Sequence, residues 1–412
     1  MQKNSSFSIF IIGALFFVFG FVTWLNSVLI PFLKTACELS DSKASLVPFA
    51  FYISYFVMAI PSSAILKRIG FTNGMALGLI VMAVGSLVFI PAAIDRNYLL
   101  FLIGLFTQGT GLALLQTATN PYVTIVGPIE SAAQRISIMG ICNKIAGMIG
   151  VLVLFSALFA STEHLLVNFD SITNAALREK ILQQLSASVI FPYLIMATVL
   201  IGLVLFIKTA KLPEIYEEKQ EDTKAIHHSI FAYPYLWFGV AAIFFYVGVE
   251  VVAIDYLIVY ANNLQIPTDI SKYYPVAALS ALVVGYVVGI GLVPKVISQR
   301  TSLIINSFFG LALLIVALCT TGKSSVYAII GLSFAHAIMW PAIWPLSIHN
   351  LGKHTKLASA FLIMGIAGGA ILPLLFGITS DYFGVRWAYC VMLPGYTYLI
   401  VFATTLCKIK KW

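Results

Sequence analysis

Three ionisable side chains, Lys144, Glu250 and Asp255, fall well inside long apolar runs. An unpaired charge in an apolar medium costs several kcal/mol, so a chain that keeps one there uses it in an ion or substrate pathway or ties it into a static pair that fixes helix packing. Lys144 is about twelve residues into its run and Glu250 about seventeen into its own, so at 1.5 Å per helical residue their depths differ by roughly 7–8 Å, within reach of a lysine side chain. They are expected to face one cavity and to pair, directly or through a substrate or ion. Asp255, about six helical residues from the far end of its run, is either a second coupling group or a snorkelling residue at the interface.

Uncharged polar and aromatic residues accompany these charges. Gln116 and Asn120 are four apart and share a helix face, as do Trp340 and Trp344. Asn143 precedes Lys144, and Asn26 stands between Trp24 and Ser27. A pyranose needs hydrogen-bonding groups at its edge and an apolar floor under its C–H face. Asn26, Gln116, Asn120, Asn143, Lys144, Glu250, Trp340 and Trp344 are therefore candidate substrate contacts. Lys144, Glu250 and Asp255 are candidate ion-coupling groups. Interhelical hydrogen bonding and packing are the competing roles for each. His336, alone in its run, fits a neutral packing role as well as a titrating one.

These residues sit in a chain of 412, of which 60% are hydrophobic and 10% charged. A soluble chain carries about a quarter charged residues. Apolar stretches long enough to cross a bilayer recur throughout, and spanning segments that satisfy their own backbone hydrogen bonds are helices. Twelve are expected, at 7–34, 43–66, 73–94, 98–127, 132–160, 187–210, 233–261, 270–296, 300–320, 324–350, 356–380 and 384–408. The fold class is all-α and polytopic. The polar stretch 211–232 divides it into an N-terminal six-helix bundle, 1–210, and a C-terminal one, 233–412. A second hydrophilic insert occupies 161–186. The net charge of +8 is spread over short loops rather than gathered in a patch, so nucleic acid is not a partner. With both termini cytoplasmic, fifteen Lys and Arg lie on that side and eight on the other, as the positive-inside rule requires. The five cysteines show no metal or redox spacing and read as small hydrophobes.

The halves echo one another. NPYVTIVGPIESAAQRISIMGI at 120–141 matches WPLSIHNLGKHTKLASAFLIMGI at 344–366, an offset of about 225 residues, and GALFFVFGF at 13–21 matches AAIFFYVGV at 241–249. The same offset pairs Asp255 with Ser27. Two parallel six-helix repeats around a midplane site is a transporter architecture.

KRIGFTNG at 67–74, with VPKVISQR at 293–300, resembles the basic glycine loop of the major facilitator superfamily. TWLNSVLIPFLK (23–34), LLQTATNPYV (114–123), GPIESAAQRISIMGICNKIAG (127–147), MWPAIWPL (339–346) and ASAFLIMGIAGGAILP (358–373) are similar to the glucose/galactose and N-acetylglucosamine permeases of its fucose-permease branch. The resemblance covers essentially the whole chain. It implies the major facilitator fold and a cation-coupled symporter that imports a hexose or N-acetylhexosamine by alternating access. It also implies residence in the bacterial cytoplasmic membrane, with sugar and lipid as partners and no cofactor beyond the co-transported cation; a monomer is expected because each chain contains its own pathway. The carboxylates that fucose permease carries in its first and fourth spans correspond here to Ser27 and Gln116, and its Gln-x-x-Asn pair to Gly140 and Asn143. That proton machinery does not carry over. The absence of those carboxylates tilts the expectation slightly from a proton to sodium held near Glu250. An uncoupled facilitator or exporter of another polar solute is the alternative. A membrane-embedded enzyme is disfavoured by the lack of any Walker, HExxH or GxSxG motif.

Overall fold

The computed structural model describes residues 2–125, 132–159, 174–209, 230–293, 296–348, 351 and 355–409. Among these there is no strand. Twelve helices are long and apolar enough to span a bilayer: α1 (Ile11–Ala36), α2 (Asp41–Ile69), α3 (Phe71–Ile94), α4 (Tyr98–Thr119), α5 (Ile138–Phe159), α6 (Ala175–Thr209), α7 (Pro234–Asp255), α8 (Thr268–Leu292), α9 (Gln299–Cys319), α10 (Lys323–Ile348), α11 (Leu357–Phe383) and α12 (Val385–Thr404).

Packing follows the repeat. In the first half α3 packs on α4, α1 on α5, α2 on α4 and α3 on α6; in the second α9 packs on α10, α7 on α11, α8 on α10 and α9 on α12. Each contact recurs six helices later, as duplicated bundles require. The linker expected at 211–232 falls mostly outside the described residues.

Glycines set the closest approaches at equivalent places. A Cβ on Gly20 of α1 would collide with the Asn143 backbone of α5, and one on Gly368 of α11 with the Phe244 backbone of α7. Small residues let helix backbones meet where lipid supplies no hydrophobic drive. A side chain at either position would push two helices apart, at a cost of about 1–3 kcal/mol or more. The Gly20 contact holds Asn143 and Lys144 against α1.

Both repeats are also broken at matching depth. α1 is interrupted at Leu25, between helices Gln2–Trp24 and Asn26–Ala36, and α7 ends at Asp255, with Tyr256 leading into helix Leu257–Asn263. α10 divides similarly between Lys323–His336 and Met339–Ile348.

The two halves meet through α2 with α11, α5 with α8, and the helix Asn26–Ala36 with the helix Leu257–Asn263. The end away from the termini, called distal here, is shut. Asp41 accepts a hydrogen bond from Ser380 Oγ at 2.6 Å and pairs with Lys34. The Asp381 carboxylate accepts the backbone N–H groups of Asp41 and Ser42 at 2.9 and 3.1 Å, capping the short helix Asp41–Ala44. Tyr256 donates to Ser45 Oγ at 2.8 Å. Gly377 of α11 packs on Ser45 and Asp41 so closely that a Cβ would strike both.

One boundary differs from the sequence reading. The second part of the insert expected at 161–186 belongs to the helix Ala175–Ala187, which opens α6. Asn174 caps it, accepting from the N–H groups of Ala176 and Leu177, and Ile181, Leu182 and Leu185 are buried beneath it. Arg178 pairs with Glu38, Glu179 with Arg96, and Ser186 donates to the Ala93 carbonyl. Its polar composition reflects one solvated face, while a short apolar stripe supplies the packing.

Candidate functional site

At mid-depth between the bundles, Lys144 Nζ lies 3.2 Å from Glu250 Oε1. The lysine belongs to α5 and the glutamate to α7, so the pair joins the halves. Each residue is only 7% exposed. The Lys144 ammonium stands 4.1 Å over the Trp24 ring, a cation–π contact that further compensates its burial. Trp24 Nε1 donates to Asn143 Oδ1 at 3.2 Å, and Asn143 Nδ2 donates to the Phe16 carbonyl at 3.5 Å. Gly147 leaves room for the indole: a Cβ there would sit against the Trp24 ring. Tyr246, one turn before Glu250 on α7, lies beside its carboxylate.

Asn26 is 1% exposed, and its Nδ2 has no partner among the described residues. It lies beside the Tyr52 hydroxyl of α2, which is also within electrostatic reach of Asp255 and Glu250. Tyr52 is held by the opposite bundle, where a Cβ on Gly369 of α11 would press on its ring at 2.9 Å. Gln116 Nε2 donates to the Tyr55 hydroxyl at 3.2 Å, and the Tyr52 and Tyr55 rings stack at 6.3 Å. Ser27 donates to the Trp24 carbonyl across the α1 break.

Asp255 is 0% exposed and neither carboxylate oxygen has a partner among the described residues. This corrects the interfacial option: a snorkelling carboxylate keeps its head in water, whereas Asp255 is covered by the shut distal end.

Trp340 and Trp344 are half-buried and stacked, with centroids 5.4 Å apart, and Trp340 also meets Tyr246 at 6.2 Å. They form an aromatic surface on α10 beside the ion pair. His336 is fully buried, its Nε2 2.6 Å from the Tyr396 hydroxyl. Gly140 faces the Tyr286 ring of α8, at 3.5 Å from a Cβ placed there. Asn120 lies in the helix Tyr98–Ile125, but its side chain is outside the described residues, as are His227, His228, His349 and His354.

The structure thus gathers Asn26, Gln116, Asn143, Lys144, Glu250 and Asp255 around the bundle interface, with Trp340 and Trp344 alongside. Sequence reasoning missed Tyr52, Tyr55 and Tyr246. The i, i+3 spacing of Tyr52 and Tyr55 was the available signal for the first two. No group of three or more His, Cys, Asp or Glu among the described residues could hold a metal ion.

Comparison with known proteins agrees with this architecture. The glucose/galactose transporter of Brucella abortus is 33% identical over 404 residues, covering 97% of this chain and 93% of the relative. The L-fucose-proton symporter of Escherichia coli is 30% identical over 404 residues, covering 94% and 90%. The crystal structure of an Escherichia coli fucose:proton symporter superposes with a TM-score of 0.74 at 27% identity over 98% of this chain and 99% of that one. A D-xylose-proton symporter structure shares the fold alone, with a TM-score of 0.69 at 14% identity. The Major Facilitator Superfamily profile matches residues 12–366, and the chain belongs to that superfamily.

Proposed function

We propose that the protein is a proton-coupled sugar symporter that imports a hexose or N-acetylhexosamine across the bacterial cytoplasmic membrane by alternating access. The observation that carries this reading is the Lys144–Glu250 pair, a buried bridge between the two bundles. A pair of this kind is costly to keep in a membrane protein unless it is remade during function. Asn26, Gln116, Asn120 and Asn143 supply hydrogen bonds to sugar hydroxyls, Lys144 and Glu250 exchange each other for the sugar, and Trp340 or Trp344 lies under a C–H face. Relatives named as glucose/galactose transporters and L-fucose-proton symporters support a sugar as the substrate.

A proton fits these residues better than the sodium ion that the sequence slightly favoured. A sodium site needs several converging oxygens, while Glu250 is engaged with a lysine ammonium and the Asp255 oxygens stand without partners. A lone carboxylate suits a proton better. With the termini cytoplasmic, as the basic-residue bias favours, the shut distal end is the outside and the structure is the outward-closed state.

The test uses purified protein in liposomes, with radiolabelled glucose, galactose or N-acetylglucosamine outside and a proton or a sodium gradient imposed separately. Accumulation above equilibrium under the proton gradient alone is expected. Accumulation under sodium alone would replace the cation. Equilibration without accumulation under either would make the protein a facilitator.

A further inference from the structure

Asp255 is the only site residue with both polar atoms buried and unpartnered among the described residues. Its surroundings are specific. Glu250 stands on the same helix, with its carboxylate committed to Lys144 of α5. From α2 comes the Tyr52 hydroxyl, which has the Asn26 amide of α1 beside it. Tyr256 follows directly and spends its hydroxyl on Ser45 and the Pro373 carbonyl, with Asp41 beyond it. Lys144 is near enough to act on Asp255 electrostatically, but its ammonium is held between Glu250 and Trp24.

An ionised carboxylate left buried without a hydrogen-bonding or charged partner is among the most costly arrangements a protein holds. The neutral acid is far cheaper to cover. The peptide after it is part of the distal closure itself. Opening that end would separate Tyr256 from Ser45 and Asp41 from Ser380, and would let water reach Asp255.

We infer that Asp255 carries the coupled proton, and that the distal end closes only over its protonated form. The inference rests on the proton-symport reading above. A proton from water at the open distal side adds to one Asp255 carboxylate oxygen, giving the neutral acid. The gate then shuts over Tyr256, Ser45 and Asp41. Once the termini side opens, the same O–H bond breaks, the proton leaves to that water, and the carboxylate is restored. One positive charge moves with each sugar. Glu250 keeps its bond to Lys144 or to the sugar and is not the proton carrier.

The test is Asp255→Asn, which mimics the neutral acid in size and charge, in proteoliposomes supplied with whichever of glucose, galactose or N-acetylglucosamine the wild type accumulates. Expected is loss of accumulation down to equilibrium and loss of sugar-induced alkalinisation of the medium, with sugar exchange between the two sides retained. Asp255→Glu keeps a carboxyl and is expected to retain accumulation with a displaced pH profile. Wild-type accumulation by Asp255→Asn overturns the inference. So does loss of exchange together with accumulation, which would make Asp255 a sugar contact or a packing residue. A pH profile of Asp255→Glu identical to wild type overturns it as well. If the wild type itself accumulates sugar only under sodium, the symport reading fails first, and this inference with it.

Discussion

Glu250→Gln is expected to abolish accumulation and to lower the stability of the detergent-solubilised protein by about 3–5 kcal/mol, because it leaves the Lys144 ammonium buried without its carboxylate. Lys144→Ala leaves the converse charge and is expected to cost a similar amount, including the lost cation–π contact with Trp24. The double variant Lys144→Gln/Glu250→Gln is the informative one. It removes both charges, so most of the lost stability is expected to return. Transport is not expected to return, because the charges are exchanged for sugar contacts during the cycle. Thermal unfolding of the four proteins, wild type included, and uptake in parallel check this. Recovery of uptake together with stability would reduce the pair to a packing device.

Gly377→Leu is expected to arrest uptake almost completely while leaving the membrane level of the protein near normal. A side chain at Gly377 would enter the space filled by Ser45 and the Asp41 carbonyl, so the distal end could not close. Each bundle stays packed internally, since the clash lies between them. A wedge of a few kcal/mol against one state is enough to move a two-state equilibrium almost fully to the other. Distances between spin labels placed on the distal ends of α2 and α11, measured by double electron–electron resonance, are expected to shift to a single longer population. A distribution matching the wild type, with transport still lost, would place the defect elsewhere.

Much of this architecture is legible in the sequence. Twelve spans and the duplication follow from apolar length and from the echo between 120–141 and 344–366. Lys144 and Glu250 stood out because a charge in an apolar run has few inexpensive explanations. The rest needed tertiary placement. Tyr52, Tyr55 and Tyr246 look like the many other tyrosines of a membrane protein until Gln116, Asn26 and Glu250 are found beside them. Asp255 read equally well as an interfacial residue, because its distance from a helix end does not reveal that the assembled bundles bury it completely. The distal closure joins Asp41 and Ser42 to Ser380 and Asp381, more than 330 positions away, and nothing in either loop announces the other. The helix Ala175–Ala187 was hidden by a polar composition that belongs to its solvated side.

None of the five cysteines, all among the described residues, forms a disulfide, and their distribution is lopsided. Cys319 is exposed at the distal end of α9, half-buried Cys37 and Cys390 lie near the same end, half-buried Cys142 lies within α5, and Cys407 is buried. The unmodified chain therefore carries its own reporter of topology. A membrane-impermeant maleimide given to intact cells should reach Cys319 when the distal end faces outward, and should need permeabilised cells when it faces the cytoplasm.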